Sequence, residues 1–320
     1  MRNGRFALTL LVLLLVGAAS AQSYPNRPVR IVVPYPPGGS PDVLARTVAQ
    51  KVSESVGQQI ITDNRPGAGG SVAAETVMRS SPDGYTLLIA DSSVYSISPN
   101  LNPKLPYDPL RDFAPICLAA TSPIFLVANN ALPVQNVKDL IALAKAKPGM
   151  PYGSSGNGTA HHLAMELIKA LAGIDLTHVP YKGAGQVVPA VLAGDVVVAF
   201  AGLNLVLPQV KAGKLKLLAV ATGRRTPLLP ELPTVAELGL PGFEISISLG
   251  YLAPSGTPRE VIDRLNAEFM KALNTPEVRQ RLTAMGVEPA GSTPEQFAEA
   301  IRTELQQFGR LVQTTAARIE

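Results

Sequence analysis

From Val29 onward, short apolar runs alternate with longer stretches in which apolar residues recur every three or four positions. Runs dense in β-branched residues predict strands, and the three-to-four spacing predicts helices. Val29–Val33 reads as the first strand. Val43, Leu44, Thr47, Val48 and Val52 form the stripe of a helix that starts at Asp42 and stops at Gly57. The same alternation predicts strands over 58–62, 85–90, 125–128, 151–152, 177–179, 196–200, 215–221 and 244–253. Helices are expected over 72–79, 137–146, 160–171, 186–193 and 234–238, with 258–274, 276–285 and 294–317 closing the chain. Strands alternating with helices predict an α/β fold with a mostly parallel sheet. The pattern runs in two sets, with the handover near 125–128. The last helices are free to return to the first set, which predicts two lobes around a cleft.

Before this alternation comes a different pattern. Arg2 and Arg5 precede an apolar run from Phe6 to Val16, which ends at Gly17-Ala18-Ala19-Ser20-Ala21. A basic start, a short apolar core and small residues at Ala19 and Ala21 predict a cleavable export signal over residues 1–21. The run is about half the roughly 20 residues that a membrane span needs. Composition agrees with an exported globular chain. Only 16% of the 320 residues are charged against 46% hydrophobic, which excludes disorder. Loss of Arg2 and Arg5 leaves 26 basic against 24 acidic residues, a net charge of +2, so no nucleic-acid partner is expected. The single cysteine, Cys117, excludes an internal disulfide and is expected to be a buried thiol.

Two glycine-rich segments follow a strand and open a helix: Pro37-Gly38-Gly39-Ser40-Pro41-Asp42 and Gly153-Ser154-Ser155-Gly156-Asn157-Gly158-Thr159. The first turn of a helix carries unpaired N–H groups at the positive end of its dipole, and glycine lets a ligand approach them closely. Ser40, Ser154 and Thr159 add hydroxyl donors. The competing reading is that Ser40 or Asp42, and Thr159, simply cap their helices. Other motifs fail on spacing. Pro66-Gly67-Ala68-Gly69-Gly70-Ser71 lacks the lysine of a phosphate loop, and the second segment has neither a dinucleotide fingerprint nor a Gly-x-Ser-x-Gly elbow. His161 and His162 are adjacent on one helix and cannot chelate a metal as a pair four residues apart would. His162 is expected to hydrogen-bond the loop at its own helix start. Neither a metal nor a cofactor is expected, and no nucleophile–base pair argues for an enzyme.

Taken together, ordered motifs give this chain a recognisable likeness. They include Tyr24-Pro25-Asn26-Arg27-Pro28-Val29-Arg30-Ile31-Val32-Val33-Pro34-Tyr35-Pro36-Pro37-Gly38-Gly39, Asn64-Arg65-Pro66-Gly67-Ala68-Gly69-Gly70, Pro82-Asp83-Gly84-Tyr85-Thr86-Leu87-Leu88, and Tyr152 to Leu163. Leu105-Pro106-Tyr107-Asp108-Pro109, His178-Val179-Pro180-Tyr181-Lys182-Gly183, Leu252-Ala253-Pro254-Ser255-Gly256-Thr257-Pro258 and Thr293-Pro294-Glu295-Gln296-Phe297 complete the series. In this order the chain resembles the solute-binding proteins of tripartite tricarboxylate transporters, the Bug family of extracytoplasmic receptors. The resemblance implies a type II periplasmic-binding-protein fold, with lobe 1 built from 22–121 plus 244–320 and lobe 2 from 122–243. It implies a periplasmic monomer that captures a small carboxylate and delivers it to a membrane permease of small and large subunits. A ligand receptor for a membrane sensor kinase is the alternative. By position the resemblance implies a binding set of Tyr35, Pro37, Gly38, Gly39, Ser40, Asp42, Ser92, Ser93, Gly153, Ser154, Gly156, Gly158, Thr159, His162 and Ala201. Ala201 and Ser248 stand where many relatives carry Asp and Trp, which points to an altered distal pocket.

Overall fold

The computed structural model describes residues 24–315; the expected export signal and the last residues of the expected 294–317 helix lie outside them. The chain opens with β1 (Val29–Val33), α1 (Ser40–Val56), β2 (Ile60–Asn64), α2 (Ser71–Met78) and β3 (Thr86–Asp91). After β3 a π-helical turn, Ser93–Ile97, runs into the short α3 (Ser98–Leu101). The long strand β4 (Phe113–Asn129) leads to α4 (Val137–Ala146), β5 (Met150–Ser154), α5 (Ala160–Ala172), β6 (Leu176–Pro180) and α6 (Ala184–Ala193). Then come β7 (Val198–Gly202), α7 (Leu203–Lys211), β8 (Leu215–Val220) and β9 (Ser246–Pro254). The chain ends with α8 (Arg259–Leu273), α9 (Pro276–Ala284), the short β10 (Glu288–Pro289) and α10 (Pro294–Thr315).

The strands follow the order β2-β1-β3-β9-β4-β7-β5-β6, with β8 and β10 also pairing β4. Only the outer members are parallel: β1 with β2 and β3, and β5 with β6 and β7. The centre is antiparallel, because β9 returns from late in the sequence to lie between β3 and β4. The expectation of a mostly parallel sheet therefore holds at the edges and fails in the middle. The strand β4 joins the two halves: Phe113–Pro123 pairs β9, whereas Ile124–Asn129 pairs β7 and β8. At the same level the chain crosses back, with Ala221 N–H donating to Ile124 O at 2.9 Å and Ile245 N–H to Ala221 O at 2.8 Å.

Three further differences have local causes. Only 125–128 of β4 was expected, because Pro115 and Pro123 each remove a ladder donor; irregular pairing around Pro115–Cys117 accommodates the first of them. The helix α7 was not expected, since Pro208 lies inside it. The helix expected over 234–238 is instead a turn in which Thr234 bridges Val220. Thr234 and Glu237 do form the reciprocal bonds of a capping box, at 3.0 and 2.8 Å. Pro233 and Gly239 on either side leave no room for a helix to propagate. Cys117 is fully buried, and burial pushes its thiol up to about 12.

Candidate binding cleft

A cavity lies where the strands of both halves end against helix starts. From the first half come Tyr35, the α1 start at Gly39-Ser40, Asp91 at the end of β3, and Ile247. Ser122 and Ile124 line it from the crossing point of β4. Ser155 and His161, the α6 start at Gly183-Ala184-Gly185, and the α7 start at Gly202 and Asn204 close it from the other half. No Lys or Arg lines this cavity.

The first loop is organised by one carboxylate. Asp42 is buried, and it accepts from Gly38 N–H at 3.0 Å, from Asn64 Nδ2 at 2.9 Å and from Arg46 Nε at 3.0 Å. Burial opposes its ionisation, but these hydrogen bonds outweigh burial and hold it below the usual carboxylate range. Gly38 sits at φ +97°, a left-handed conformation that a side chain would strain. Its carbonyl accepts from Asn204 Nδ2 at 2.9 Å, across the cleft. Ser40 Oγ lies 2.9 Å from Ser122 Oγ. Gly39 takes the N-cap position in extended conformation, and neither Ser40 nor Asp42 occupies the cap.

The second loop is organised by neutral rings. His162 and His178 stack with centroids 4.0 Å apart, and Tyr152 stacks on His178 at 4.9 Å. Gly158 N–H donates to His162 Nδ1 at 3.3 Å, Ser154 Oγ lies 2.6 Å from His178 Nε2, and Ser155 Oγ lies 2.7 Å from His161 Nδ1. Burial lowers all three imidazoles, His161 and His178 to about 4. Thr159 caps α5 by accepting from His162 N–H at 3.3 Å. The next donor at this helix start, Ala160 N–H, goes to Ser93 Oγ of the opposite half at 3.0 Å.

Of the fifteen residues expected to bind, Tyr35, Gly39 and Ser40 line the cavity. Pro37 and Gly38 are exposed, and Gly156 faces a neighbouring hollow. Asp42, Ser154, Gly158, Thr159 and His162 are engaged in holding the two loops. Ser92 is buried and its hydroxyl accepts from Ser248 N–H at 2.9 Å, while Ser93 Oγ accepts from Ala160 N–H at the start of α5. Gly153 packs within β5, where an added Cβ would come within 3.0 Å of Val187 and 3.1 Å of Val196. Ala201 is buried in the core with Phe125 and Val220, one residue short of the cavity wall at Gly202. Sequence reasoning missed Asp91, Ser122, His161, Gly183 to Gly185, Gly202 and Asn204, and it left Ser155 out of the binding set although that residue lies in the second glycine-rich segment. Only Gly183-Ala184-Gly185 carried a usable signal, being another glycine-rich turn between a strand and a helix.

The model of the TctC family, the tripartite tricarboxylate transporter family receptors, matches residues 44–316. This chain belongs to that family. Among curated relatives, BugT of Bordetella pertussis is 36% identical over 303 residues, covering 94% of this chain and 93% of the relative. Among solved structures, R. palustris Rpa4515 with adipate superposes with a TM-score of 0.89 at 35% identity, covering 92% of this chain and all of that one. The periplasmic binding protein BugD gives 0.88 at 31% identity, covering 93% of this chain and 100% of its own. MatC from Rhodopseudomonas palustris with bound malate gives 0.86 at 31% identity, covering 90% and 100%. The chain is thus a solute-binding receptor of the TctC/Bug type with the fold of periplasmic binding proteins, not an enzyme. Among the described residues no helix is long and apolar enough to cross a membrane, and no group of His, Cys, Asp or Glu forms a metal site.

Proposed function

We propose that this receptor is exported to the periplasm, closes on a small carboxylate and delivers it to a tripartite membrane transporter with small and large permease subunits. In this reading the lobes are 22–121 with 244–320, and 122–243. The cleft between them closes around the cavity at the crossing point of β4. Ligand contact falls to Tyr35, Gly39 and Ser40 on one side and to the α6 and α7 starts on the other, while Asp42, Thr159 and His162 position the loops.

The observation that carries this reading is a cavity walled by the starts of α1, α6 and α7 and free of Lys and Arg. Helix starts hold an anion by dipoles and N–H groups. Each hydrogen bond to a charged group is worth about 1.5–3 kcal/mol, and micromolar affinity needs about −8 kcal/mol. Three helix starts supply binding on that scale without a cation. Adipate and malate in two structural neighbours support the same ligand class.

The test is a thermal-shift screen of the purified mature protein against di- and tricarboxylates, aromatic acids and amino acids. A true ligand stabilises by mass action. Gly39→Trp serves as the control, because Gly39 has ordinary backbone angles and a Cβ there meets only Pro41 Cδ at 3.8 Å. Stabilisation of the parent chain that is lost in Gly39→Trp supports the site. No stabilisation by any carboxylate, or equal stabilisation of both proteins, overturns it. Uptake of the same ligand by cells lacking this chain, restored by the parent protein and not by Gly39→Trp, tests delivery.

A further inference from the structure

The turn Gly67-Ala68-Gly69-Gly70, between β2 and α2, has no part in the cavity wall. All four residues sit at positive φ, at +140°, +46°, +62° and +102°, and Ala68 is the only non-glycine residue to do so among the described residues. Such a backbone persists only where its surroundings force it. Two of the three glycines answer to their own half. A Cβ on Gly67 would lie 3.0 Å from Val72 Cγ2, and one on Gly70 would lie 2.6 Å from Val94 Cγ2. Gly69 answers to the other half: a Cβ there would lie 2.7 Å from the backbone oxygen of Asn157, in the second glycine-rich loop. Beside the same spot, Ser98 Oγ donates to Gly158 O at 3.3 Å. A hollow shared by the two halves begins at this seam, walled by the turn on one side and by Gly156, Asn157 and Tyr181 on the other.

Backbone meeting backbone lets the two halves approach more closely here than any side chain would permit. Resting on the closing-receptor reading above, we propose that this turn is the seat on which the second loop comes to rest at closure. Gly69 is then a positioning residue that sets how far the cleft shuts. It lies outside the cavity wall, so it acts on the balance of open and closed forms and its effect is shared by every ligand. A ligand held only by the closed form binds more weakly in proportion as that form is depleted. Ordinary contact begins at 3.4 Å, so an added Cβ must be relieved by parting the halves or by bending a turn that is already strained. Gly183 makes a matching approach, with a Cβ 2.9 Å from Pro36 Cδ, but it lines the cavity, where a substitution would also touch the ligand.

Gly69→Asn supplies the obstacle with little backbone strain, because Asn tolerates the left-handed region. Gly57→Asn is the control, with φ +71° and no atom within 4 Å of its Cβ. Spin labels on Leu110→Cys and Leu171→Cys, exposed sites on opposite halves, report the opening by double electron resonance, while Cys117 is fully buried. Distances are measured without ligand and with adipate, malate, succinate and glutarate in turn. The parent chain and Gly57→Asn are expected to reach the shorter, closed distance, and Gly69→Asn to lose it. By calorimetry, Gly69→Asn should weaken every acid that binds the parent by one common factor of about ten, with their rank order unchanged. Thermal melting verifies folding, and Gly69→Ala replaces Gly69→Asn if the latter fails to fold. Equal distances and affinities in variant and parent, or a loss confined to one acid, overturn the seat and leave the receptor reading intact. A parent that closes and binds none of the four acids, beside a Gly69→Asn that does not close, supports the seat and overturns the carboxylate reading. A parent that neither closes nor binds overturns both.

Discussion

The loop before α1 is held by charge, and the loop before α5 by neutral rings. In the first, one buried carboxylate collects a guanidinium, a side-chain amide and a backbone N–H. In the second, stacked His162 and His178 with Ser154 and Thr159 do the equivalent work without formal charge. The two segments look alike in sequence, since each is glycine-rich and opens a helix. Their exposure to the cleft differs for the same reason that their supports differ. The first loop turns its bonds inward to Asp42 and leaves Gly39 and Ser40 on the cavity. The second gives its helix start to Ser93 and contributes only Ser155 and His161. A glycine-rich loop at a helix start is therefore a place where an anion can be held, and the surrounding structure decides whether it is used.

The largest expected effect comes from removing the stacked pair. His162→Ala with His178→Ala leaves a cavity beside Tyr152 and should cost on the order of 3–5 kcal/mol, read by denaturant unfolding. The same two substitutions should leave hydrogen–deuterium exchange of the 37–46 segment nearly unchanged. If both loops loosen together, the idea of two independent supports is wrong.

Acid should separate the loops next. Imidazoles lowered to about 4 stay neutral in the folded state while the unfolded chain takes up protons below its ordinary value near 6.5. Stability therefore falls as pH drops from about 6.5 to 4, by on the order of 3 kcal/mol for one fully buried histidine. Asp91 works against this, because a carboxyl raised to about 6 favours the folded state as pH falls. Three histidines outweigh it. Asp42, held low, keeps its contribution until the pH passes below the ordinary carboxylate value. Exchange protection over 153–162 should be lost between pH 6.5 and 4, and over 37–46 only below about 4. The reverse order would contradict the assignment of supports.

Asp42→Ala should cost about 1–3 kcal/mol, since Gly38 N–H, Asn64 and Arg46 all lose a partner. Because the Arg46 side chain is 48% exposed, part of that loss should be insensitive to salt and part screened. Gly39→Ala, with φ −77° and only an ordinary contact to Pro41 Cδ at 3.8 Å, should cost less than about 1 kcal/mol, the loss of a better N-cap residue. Its main effect belongs to ligand affinity, which should weaken a few-fold by calorimetry.

Much of the fold was legible because apolar periodicity reports burial one element at a time. The strand β1, the α1 stripe and the C-terminal helices sit close to where their patterns put them. Proline hid β4 and α7, for local propensity penalises residues that tertiary pairing tolerates. The role of His162 at its own helix start was readable from its four-residue distance to Gly158. Asp91 and Asn204 were not readable at all, because nothing in their neighbourhoods along the chain distinguishes a cavity wall from a strand end or a helix start.

By itself the sequence determined the alternation of strands and helices, the family and the two glycine-rich loops, all of which depend on neighbours within a few positions. The tertiary structure alone decided which loop opens on the cleft, that β9 turns the sheet centre antiparallel, and that Asp91 and Asn204 line one cavity. Those features depend on contacts between residues far apart in the chain, such as Gly38 with Asn204 and Ser93 with Ala160. Such contacts exist only once burial has brought the two halves together.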